Sequence, residues 1–263
     1  MLPPFTSASH DGDLGCFVRN IILNSIFQKG QFIIPDIASQ TGFSVTTIAK
    51  YVSELYAEDI LEKGDCLKTN KRGRNPVLYR VKSETYYFLG VDLKPFELII
   101  GLMNLTGDMV CIERITDFRF ENTHNKLDEI CTHISQFMLK FQSQNAGKIA
   151  GVNFNIGGRV NSHLGTSATI FNFEVPLTLL LNERLGIPVF IENDTKAMAY
   201  GEYVSENNAS QENVIYVNIG WGLGLCIIIN GEIYYGKDGY SGEFGHIHMY
   251  ENNVMCHCGK KGC

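Results

Sequence analysis

The sequence predicts an α/β protein in two parts: a small winged helix-turn-helix module, then a larger domain built on a mixed sheet. Residues 17–56 place apolar residues at helical spacing around a glycine turn, whereas from Tyr86 strand-like and helix-like segments alternate. The charge changes at the same point, because residues 1–85 carry a net charge of +1 and residues 86–263 a net charge of −7. We therefore predict domains at residues 1–85 and 86–263.

Three helices are predicted in the first part. Residues 17–28 form the first, Pro35 suits the first turn of the second, and Gly42 supplies the turn before Ser44, which caps a third helix ending at Tyr56. A helix, a glycine-containing turn and a capped helix make the helix-turn-helix pattern. The apolar residues expected to face inward are Val18, Ile21, Ile22, Ile26, Ile37, Ala38, Ile48, Val52 and Leu55.

A basic hairpin is predicted at residues 60–82, where two alternating runs flank the turn "KRGRNP". Between Lys63 and Lys82 seven residues are basic and only Asp65 opposes them. In a winged helix-turn-helix the second motif helix enters the major groove and wing cations contact phosphate. The expected DNA contacts are Thr46, Thr47, Lys50, Lys71, Arg72 and Arg74. The alternative is a protein-interaction winged helix whose basic loop is solvated.

The size of such a module predicts its oligomeric state. A single DNA-binding module buries only roughly 600 to 1,000 Å². We therefore expect a homodimer or higher homo-oligomer that binds a two-fold operator.

Composition limits the compartment. No apolar run approaches the roughly 18 residues of a membrane span, and the first residues, "MLPPFTSASHDGDLG", lack the basic and apolar regions of a signal peptide. We expect a cytoplasmic protein without a membrane partner.

In the cytoplasm cysteines do not imply disulfides. Five have apolar neighbours and are expected to be buried thiols, namely Cys16, Cys66, Cys111, Cys131 and Cys226.

Strands and helices alternate in the second part. Three consecutive strands are predicted between Tyr86 and Phe118, with a tight turn at residues 105–108, followed by a helix over 125–142 and a buried strand ending in "NIGGRV". A helix, the short strand "IPVFIEND" and another helix follow, and then a strand, a glycine loop and two strands separated by "NG". Meandering strands with crossover helices indicate a mixed sheet.

Four motifs in order then resemble the ROK family (repressor, open reading frame, kinase). They are "IENDTKAMAYGE", "VNIGWGLGLCIIINGEIYYG", "GYSGEFGHIHM" and "CHCGKKGC". With a winged helix in front, the chain resembles the transcriptional-repressor branch, such as the N-acetylglucosamine and xylose repressors. The resemblance implies an actin-like, ribonuclease H-type fold of two lobes with a sugar in the cleft. Members continue beyond the last motif, so we expect an incomplete second lobe, with weakened dimer contacts and ligand affinity.

The resemblance also implies a sugar site. Asn193 and Asp194 match a sugar-contacting Asn and the general base of ROK kinases, and Glu243 and His246 match a sugar-contacting Glu and a His that binds both sugar and metal. Gly158 follows a strand where the family brings backbone close to the sugar, and Asn172 falls near a sugar-binding Asn. For Asp194 the alternative is a plain helix N-cap.

The nucleotide side departs from the family. ROK kinases carry D-x-G-G-T-K, whose glycines let backbone amides approach phosphates, whereas this chain has "VDLKPFE". Pro95 removes a donor and Phe96 is expected to fill space, and Trp221 stands where kinases usually have Thr. We expect a sugar-responsive regulator without kinase activity, which binds operator DNA and a sugar or sugar phosphate. The alternatives are a ROK sugar kinase that phosphorylates a hexose with ATP, and a non-functional remnant.

A structural Zn²⁺ site is predicted at the end of the chain. Cys256, Cys258 and Cys263 with His246 make the Cys₃His set of closed zinc sites. Two glycines in "CHCGKKGC" permit the reversal that returns the third thiolate to the first two. His257 should point away. His248 is the substitute ligand, and a redox-active thiol cluster is the alternative chemistry.

Overall fold

The computed structural model describes residues 14–66, 76–205, 212–220, 222–256 and 258–263. They divide into two compact units. The first contains the described residues up to Phe88 together with Leu102–Cys111 and Lys140–Ala150. The second contains Leu89–Gly101, Ile112–Leu139 and the described residues from Gly151 onwards.

The first unit begins with three helices and a small sheet. Its elements are α1 (Leu14–Lys29), β1 (Gln31–Phe32), α2 (Ile34–Thr41), α3 (Val45–Ala57), β2 (Leu61–Cys66) and β3 (Val77–Val81). The strands pair antiparallel in the order β1-β3-β2. Gly42 ends α2 in the left-handed region at φ 74°, and the Ser44 hydroxyl oxygen accepts the backbone N–H of Thr47 at 3.0 Å, as the sequence predicted. The sequence did not predict β1.

One apolar cluster holds these elements together. The buried residues of the cluster that the sequence had predicted are Val18, Ile22, Ile26, Ile37, Ala38, Ile48, Val52 and Leu55, whereas Ile21 is only half-buried. An ion pair at its edge joins two helices, because the Arg19 guanidinium on α1 bonds Glu58 and lies 3.7 Å from Glu54. Helix α1 is therefore fixed against α3 by both packing and charge.

The chain then builds a five-stranded sheet with helices and a short hairpin. These elements are β4 (Tyr86–Lys94), β5 (Glu97–Asn104), β6 (Met109–Ile115), α4 (His124–Gln142), β7 (Lys148–Ile156), β8 (Val160–Asn161), β9 (Thr166–Ser167), α5 (Leu177–Leu185) and β10 (Val189–Asn193). The strand order is β10-β7-β4-β5-β6. Strands β10 and β7 run parallel, with Asn193 opposite Ile156, while β8 pairs antiparallel with β9. The predicted mixed α/β architecture is therefore confirmed, although the β8–β9 hairpin was not predicted.

The last elements are α6 (Asp194–Ser205), β11 (Val214–Ile219), β12 (Leu223–Ile229) and β13 (Glu232–Ile233). The three strands form an antiparallel sheet in the order β11-β12-β13. Asn230 and Gly231 both have positive φ, 52° and 79°, as a two-residue hairpin turn requires. Ala199 of α6 packs on Cys226 and Ile228 of β12. A 3-10 turn, Phe244–His246, follows.

The cysteine prediction was right in part. Cys131 and Cys226 are buried, and burial raises the pKa of each thiol to about 11. Cys16 and Cys111 are exposed, which corrects the prediction. Apolar neighbours in the sequence do not decide which face a residue occupies, and Cys111 lies on β6, the edge strand of its sheet. The side chain of Cys66 lies outside the described residues.

Within the described part of the chain, no helix combines the length and the apolar character needed to cross a bilayer.

Candidate functional site

Two of the predicted sugar-binding residues lie where β10 meets α6. The Asn193 Oδ1 atom accepts the backbone N–H of Lys196 at 3.0 Å, so Asn193 is the residue that caps the helix. Its Nδ2 atom donates to the carbonyl oxygen of Gly158 at 2.9 Å. Asp194 is the first residue of α6, where a carboxylate is favoured by the helix dipole. The alternative expectation, that Asp194 is the N-cap of this helix, is therefore wrong, because Asn193 occupies that position.

Glycines bring the backbone after β7 close to these side chains. A Cβ atom at Gly157 would lie 3.4 Å from Asp194 Oδ2. Gly158 has φ +82°, and a Cβ atom there would lie 2.7 Å from Thr169 Cβ. A side chain at Gly158 would therefore be strained and would collide with Thr169. Gly158, Asn193 and Asp194 come together as one group.

An ion pair lies within residues 92–97, the segment in which the sequence predicts a degenerate phosphate motif. The Lys94 Nζ atom lies 3.5 Å from Asp92 Oδ2 and 3.9 Å from a Glu97 carboxylate oxygen. Burial raises the pKa of Asp92, the Lys94 ammonium opposes that shift, and the Asp194 carboxylate adds to it. The Phe96 side chain is 57% exposed, and its expected role in filling the phosphate-binding space stays a prediction.

The loop after β13 carries Glu243 and His246. Gly242 has φ +84°, and a Cβ atom there would lie 1.9 Å from the carbonyl oxygen of Leu225 on β12. Only glycine permits this approach, which fixes the loop on the sheet immediately before Glu243. Burial lowers the pKa of Lys196 on α6, and the Glu243 carboxylate is among the charges that oppose this shift.

Asn172 occupies a separate loop and is exposed. Its neighbour Phe171 is buried at φ 53°, and the Phe171 N–H donates to Asn122 Oδ1 at 2.7 Å. The Phe173 ring stacks on His124 with 3.9 Å between centroids. The backbone around Asn172 is thus firmly held, although the hydrogen bonds that group Gly158 with Asn193 do not include it.

The predicted metal ligands do come together. One donor atom each from His246, Cys256, Cys258 and Cys263 lies within 4.8 Å of all the others. The Cys256 Sγ to His246 Nδ1 distance is 3.5 Å, and the Cys258 Sγ to Cys263 Sγ distance is also 3.5 Å. Metal–sulfur bonds of about 2.3 Å and metal–nitrogen bonds of about 2.0 Å in a tetrahedron place neighbouring ligands roughly 3.5 to 3.8 Å apart. The cluster could therefore hold a metal ion.

Backbone geometry and proton affinity both suit metal binding. The Cys256 N–H donates to the Lys260 carbonyl oxygen at 2.9 Å, closing the loop. A hydrogen bond from the Lys260 backbone lowers the pKa of Cys258 to about 7, while a hydrogen bond with Cys258 raises the pKa of Cys263 to about 11. The Cys258 thiol is therefore the more readily deprotonated of the two, and the thiolate is the form that binds a metal ion.

His248 is not part of this cluster. Its Nδ1 atom lies 3.3 Å from the Lys261 carbonyl oxygen. The substitute ligand considered from the sequence is therefore not needed to complete a four-ligand set. His257 and Trp221 lie outside the described residues.

The predicted DNA contacts on α3 differ in solvent exposure. Thr46 and Lys50 are exposed. Thr47 is half-buried, and its hydroxyl oxygen lies 2.8 Å from the Ser44 hydroxyl at the helix start. The three predicted wing contacts, Lys71, Arg72 and Arg74, lie outside the described residues.

A second group of residues was missed by the sequence prediction. Glu192, directly before Asn193, is buried and hydrogen-bonded to Ser162 and Tyr235, and Lys196 is buried against Tyr235. The partners lie far apart in the sequence, and the only available signal was a pair of charged residues four positions apart at a strand-to-helix junction.

The fold, the Asn193–Asp194 junction and the His/Cys cluster together define a ROK-type α/β domain. A sequence model of the ROK family matches residues 88–263. The chain belongs to the ROK family.

Known relatives include both repressors and kinases. The xylose repressor of Bacillus subtilis (strain 168) is 26% identical over 248 residues, covering 93% of this chain and 64% of the repressor. A glucokinase of Streptomyces coelicolor is 37% identical over 179 residues, covering 66% of this chain and 54% of the kinase. A crystal structure of a ROK family transcriptional regulator, described as a homologue of the Escherichia coli MLC protein, superposes with a TM-score of 0.76 at 25% identity, covering 94% of this chain and 63% of that chain.

The matches to repressors cover nearly all of this chain, including residues before the family domain. The chain spans about three fifths of the length of the curated repressors it matches, with 61% for one and 64% for another.

Proposed function

We propose that this protein is a sugar-responsive transcriptional regulator, with a DNA-binding domain at residues 1–85 and a sugar-binding ROK domain at residues 86–263. The observation that carries the proposal is the likeness to repressors, which extends over 93% of the chain, whereas the likeness to the glucokinase covers 66%. The likeness to the repressors therefore extends to residues before the family domain, which begins at residue 88.

The DNA-binding part of the proposal is a winged helix. The order helix, strand, two helices and two strands in the first unit supports it, with Thr46 and Lys50 exposed on α3. We propose DNA contacts by Thr46, Thr47 and Lys50 and by the three basic residues of the wing tip, Lys71, Arg72 and Arg74.

Salt titration tests the wing. Each lost phosphate contact should reduce the slope of log affinity against log salt by about 0.9, so Arg72→Ala with Arg74→Ala should flatten it by roughly 2. Lys126→Ala is the control, because Lys126 belongs to the second unit and pairs with Glu129 at 2.6 Å. An unchanged slope in the double variant would contradict the wing assignment.

The proposed effector is a sugar or sugar phosphate held by Gly158, Asn193, Asp194, Glu243 and His246, with Asn172 as a further contact. Carboxylate, amide and imidazole groups supply the mixed acceptors and donors that hydroxyl groups need. The Asn193 bond to Gly158 and the nearness of Asp194 to Gly157 support a shared site.

Thermal unfolding with a panel of sugars and their 6-phosphates tests this site. A ligand at 100 times its dissociation constant should stabilise the protein by about 2.7 kcal/mol. Asp194→Asn should abolish the shift, whereas Asp128→Asn, which alters a carboxylate paired with Arg184 at 2.6 Å, should keep it. A sugar that stabilises both variants equally would remove Asp194 from the site.

We also propose that the His/Cys cluster binds a structural Zn²⁺. Purified protein should contain about one zinc per chain, and Cys256→Ser should lose it. Cys16→Ser is the matched control, because Cys16 is exposed and is not one of the four cluster residues. Metal-free protein with intact thiols would contradict this proposal.

A sugar kinase is the second candidate, favoured by the likeness to the glucokinase and by Asp194. We propose instead that the protein lacks kinase activity, because Lys94 pairs with Asp92 at the phosphate motif. Incubation with ATP and a panel of hexoses decides between them. Phosphate transfer that disappears in Asp194→Asn would establish the kinase.

The regulator is proposed to act in the cytoplasm as a homodimer on a two-fold operator. Sugar binding would alter DNA affinity only if the sugar prefers one of the DNA-competent and DNA-incompetent states. Sedimentation of the protein with operator DNA, with and without the stabilising sugar, measures both the stoichiometry and this coupling.

A further inference from the structure

A buried carboxylate directly precedes the proposed sugar contacts Asn193 and Asp194 in the chain. Glu192 is 9% exposed, and its Oε2 atom accepts the Ser162 hydroxyl at 2.9 Å and the Tyr235 hydroxyl at 2.8 Å. Its Oε1 atom accepts the backbone N–H of Asn193 at 2.8 Å. Three donors from three different segments thus converge on one carboxylate, which can only accept.

A buried cation lies beside it. Lys196 is 3% exposed, its Nζ atom donates to the Gly239 carbonyl oxygen, and the same atom lies 5.2 Å from the centroid of the Tyr235 ring. Burial lowers the pKa of Lys196, and the Glu192 charge opposes that shift. A buried charge needs a partner to be tolerated, so Glu192 and Lys196 support each other.

The segment they hold is the one that leads to Glu243 and His246. Tyr235 and Gly239 both belong to it, and a Cβ atom at Gly239 would lie 2.9 Å from the Val160 carbonyl oxygen on β8. On the other side, Glu192 and Lys196 flank Asn193 and Asp194 at the start of α6.

We propose that Glu192, Lys196 and Tyr235 form a positioning network that sets the loop of residues 235–246 against Asn193 and Asp194 and thereby sets the affinity for the effector. The proposal rests on the proposed sugar-binding function. None of the three side chains need touch the sugar. They act by joining the two segments that carry its contacts, so loss of one member frees the loop.

Tyr235→Phe tests the network with little change of volume, and Tyr234→Phe is the matched control, because the Tyr234 side chain is 51% exposed. Removing a hydrogen bond to a buried charged group should weaken sugar affinity by roughly 10-fold or more. Hydrogen exchange of the amides of residues 236–246 should also accelerate in Tyr235→Phe and stay unchanged in Tyr234→Phe.

Two further variants separate positioning from general stability. Lys196→Met should reproduce the loss of affinity, and Lys196→Arg should restore it, because the arginine keeps the charge and a donor for Gly239. A purely structural role would lower the melting temperature of Lys196→Met without a selective change in exchange at residues 236–246, and that result would overturn the proposal.

The network proposal and the proposed sugar-binding function can fail separately. If the unaltered protein binds no sugar, the proposed function fails, while the exchange of residues 236–246 still decides whether the network positions the loop. If sugar binds and Tyr235→Phe and Tyr234→Phe match the unaltered protein in affinity and exchange, the network proposal fails and the sugar site stands.

Discussion

Replacing Gly262 by alanine should disrupt the His/Cys cluster far more than the same change at Gly259. Both glycines have positive φ, +89° and +83°. A Cβ atom at Gly259 would meet nothing within 4 Å, whereas one at Gly262 would lie 2.3 Å from His248 Nδ1 and 2.5 Å from the Tyr250 carbonyl oxygen. The two variants therefore share the backbone strain and differ in the collision.

The magnitude follows from these two contributions. An L-residue in the left-handed region costs about 1 to 2 kcal/mol, which corresponds to roughly a 5- to 30-fold loss of metal affinity if the apo chain escapes the strain. Gly262→Ala must in addition move backbone, because the Gly262 carbonyl oxygen accepts the Met249 and Tyr250 N–H groups at 2.7 and 3.2 Å. The imidazole of His248 can rotate away, but the Tyr250 carbonyl oxygen cannot.

Competition with a chromophoric chelator, on protein whose thiols have been counted, measures the zinc affinity of both variants. We expect Gly259→Ala to lose affinity within the 5- to 30-fold range estimated from strain and Gly262→Ala to lose clearly more. Equal losses would refute the reasoning, because they would mean that the contact with residues 248–250 does not constrain the ligand loop.

Three other changes test the fold. Ser44→Ala removes the cap of α3 and should lower the free energy of unfolding by about 1 kcal/mol in urea titration; no change would mean that the Thr47 N–H finds another acceptor. Phe154→Ala removes a fully buried ring and should cost about 3 to 5 kcal/mol in the same assay, and a loss below 1 kcal/mol would place the ring outside the core. Asp92→Asn should raise the melting temperature at pH 7, because burial raises the pKa of Asp92 and ionisation therefore opposes folding. The gain should fade as the pH drops through the folded-state pKa and vanish below the ordinary pKa of aspartate, and an equal gain at about pH 3 would contradict it.

Local features could be predicted from the sequence because their partners are close along the chain. The Ser44 cap binds an N–H three residues later, and the turn at Asn230 and Gly231 needs only two residues with positive φ. The metal cluster could be predicted in the same way over a longer stretch of chain, because the spacing of its three cysteines and two glycines indicates a tight reversal. His246 was added by resemblance, and its imidazole lies 3.5 Å from Cys256 Sγ.

Features that depend on distant segments could not be predicted. Strand β1 has two residues and exists only because β3 pairs with it, and the β8–β9 hairpin is equally short. The exposure of Cys16 and Cys111 shows the same limit, because apolar neighbours indicate a hydrophobic segment without saying which of its faces is covered.

The Glu192–Lys196 pair lies between these two cases. A strand end and the first turn of the following helix are both expected to be at least partly buried. A glutamate and a lysine there incur a desolvation cost that only partners can offset. From the sequence one can therefore predict that Glu192 and Lys196 need buried hydrogen-bond partners at this junction. Which residues serve as partners cannot be predicted, because Ser162 lies 30 residues away from Glu192 and Tyr235 lies 43 residues away. Only the folded chain brings both hydroxyl groups to the same carboxylate oxygen.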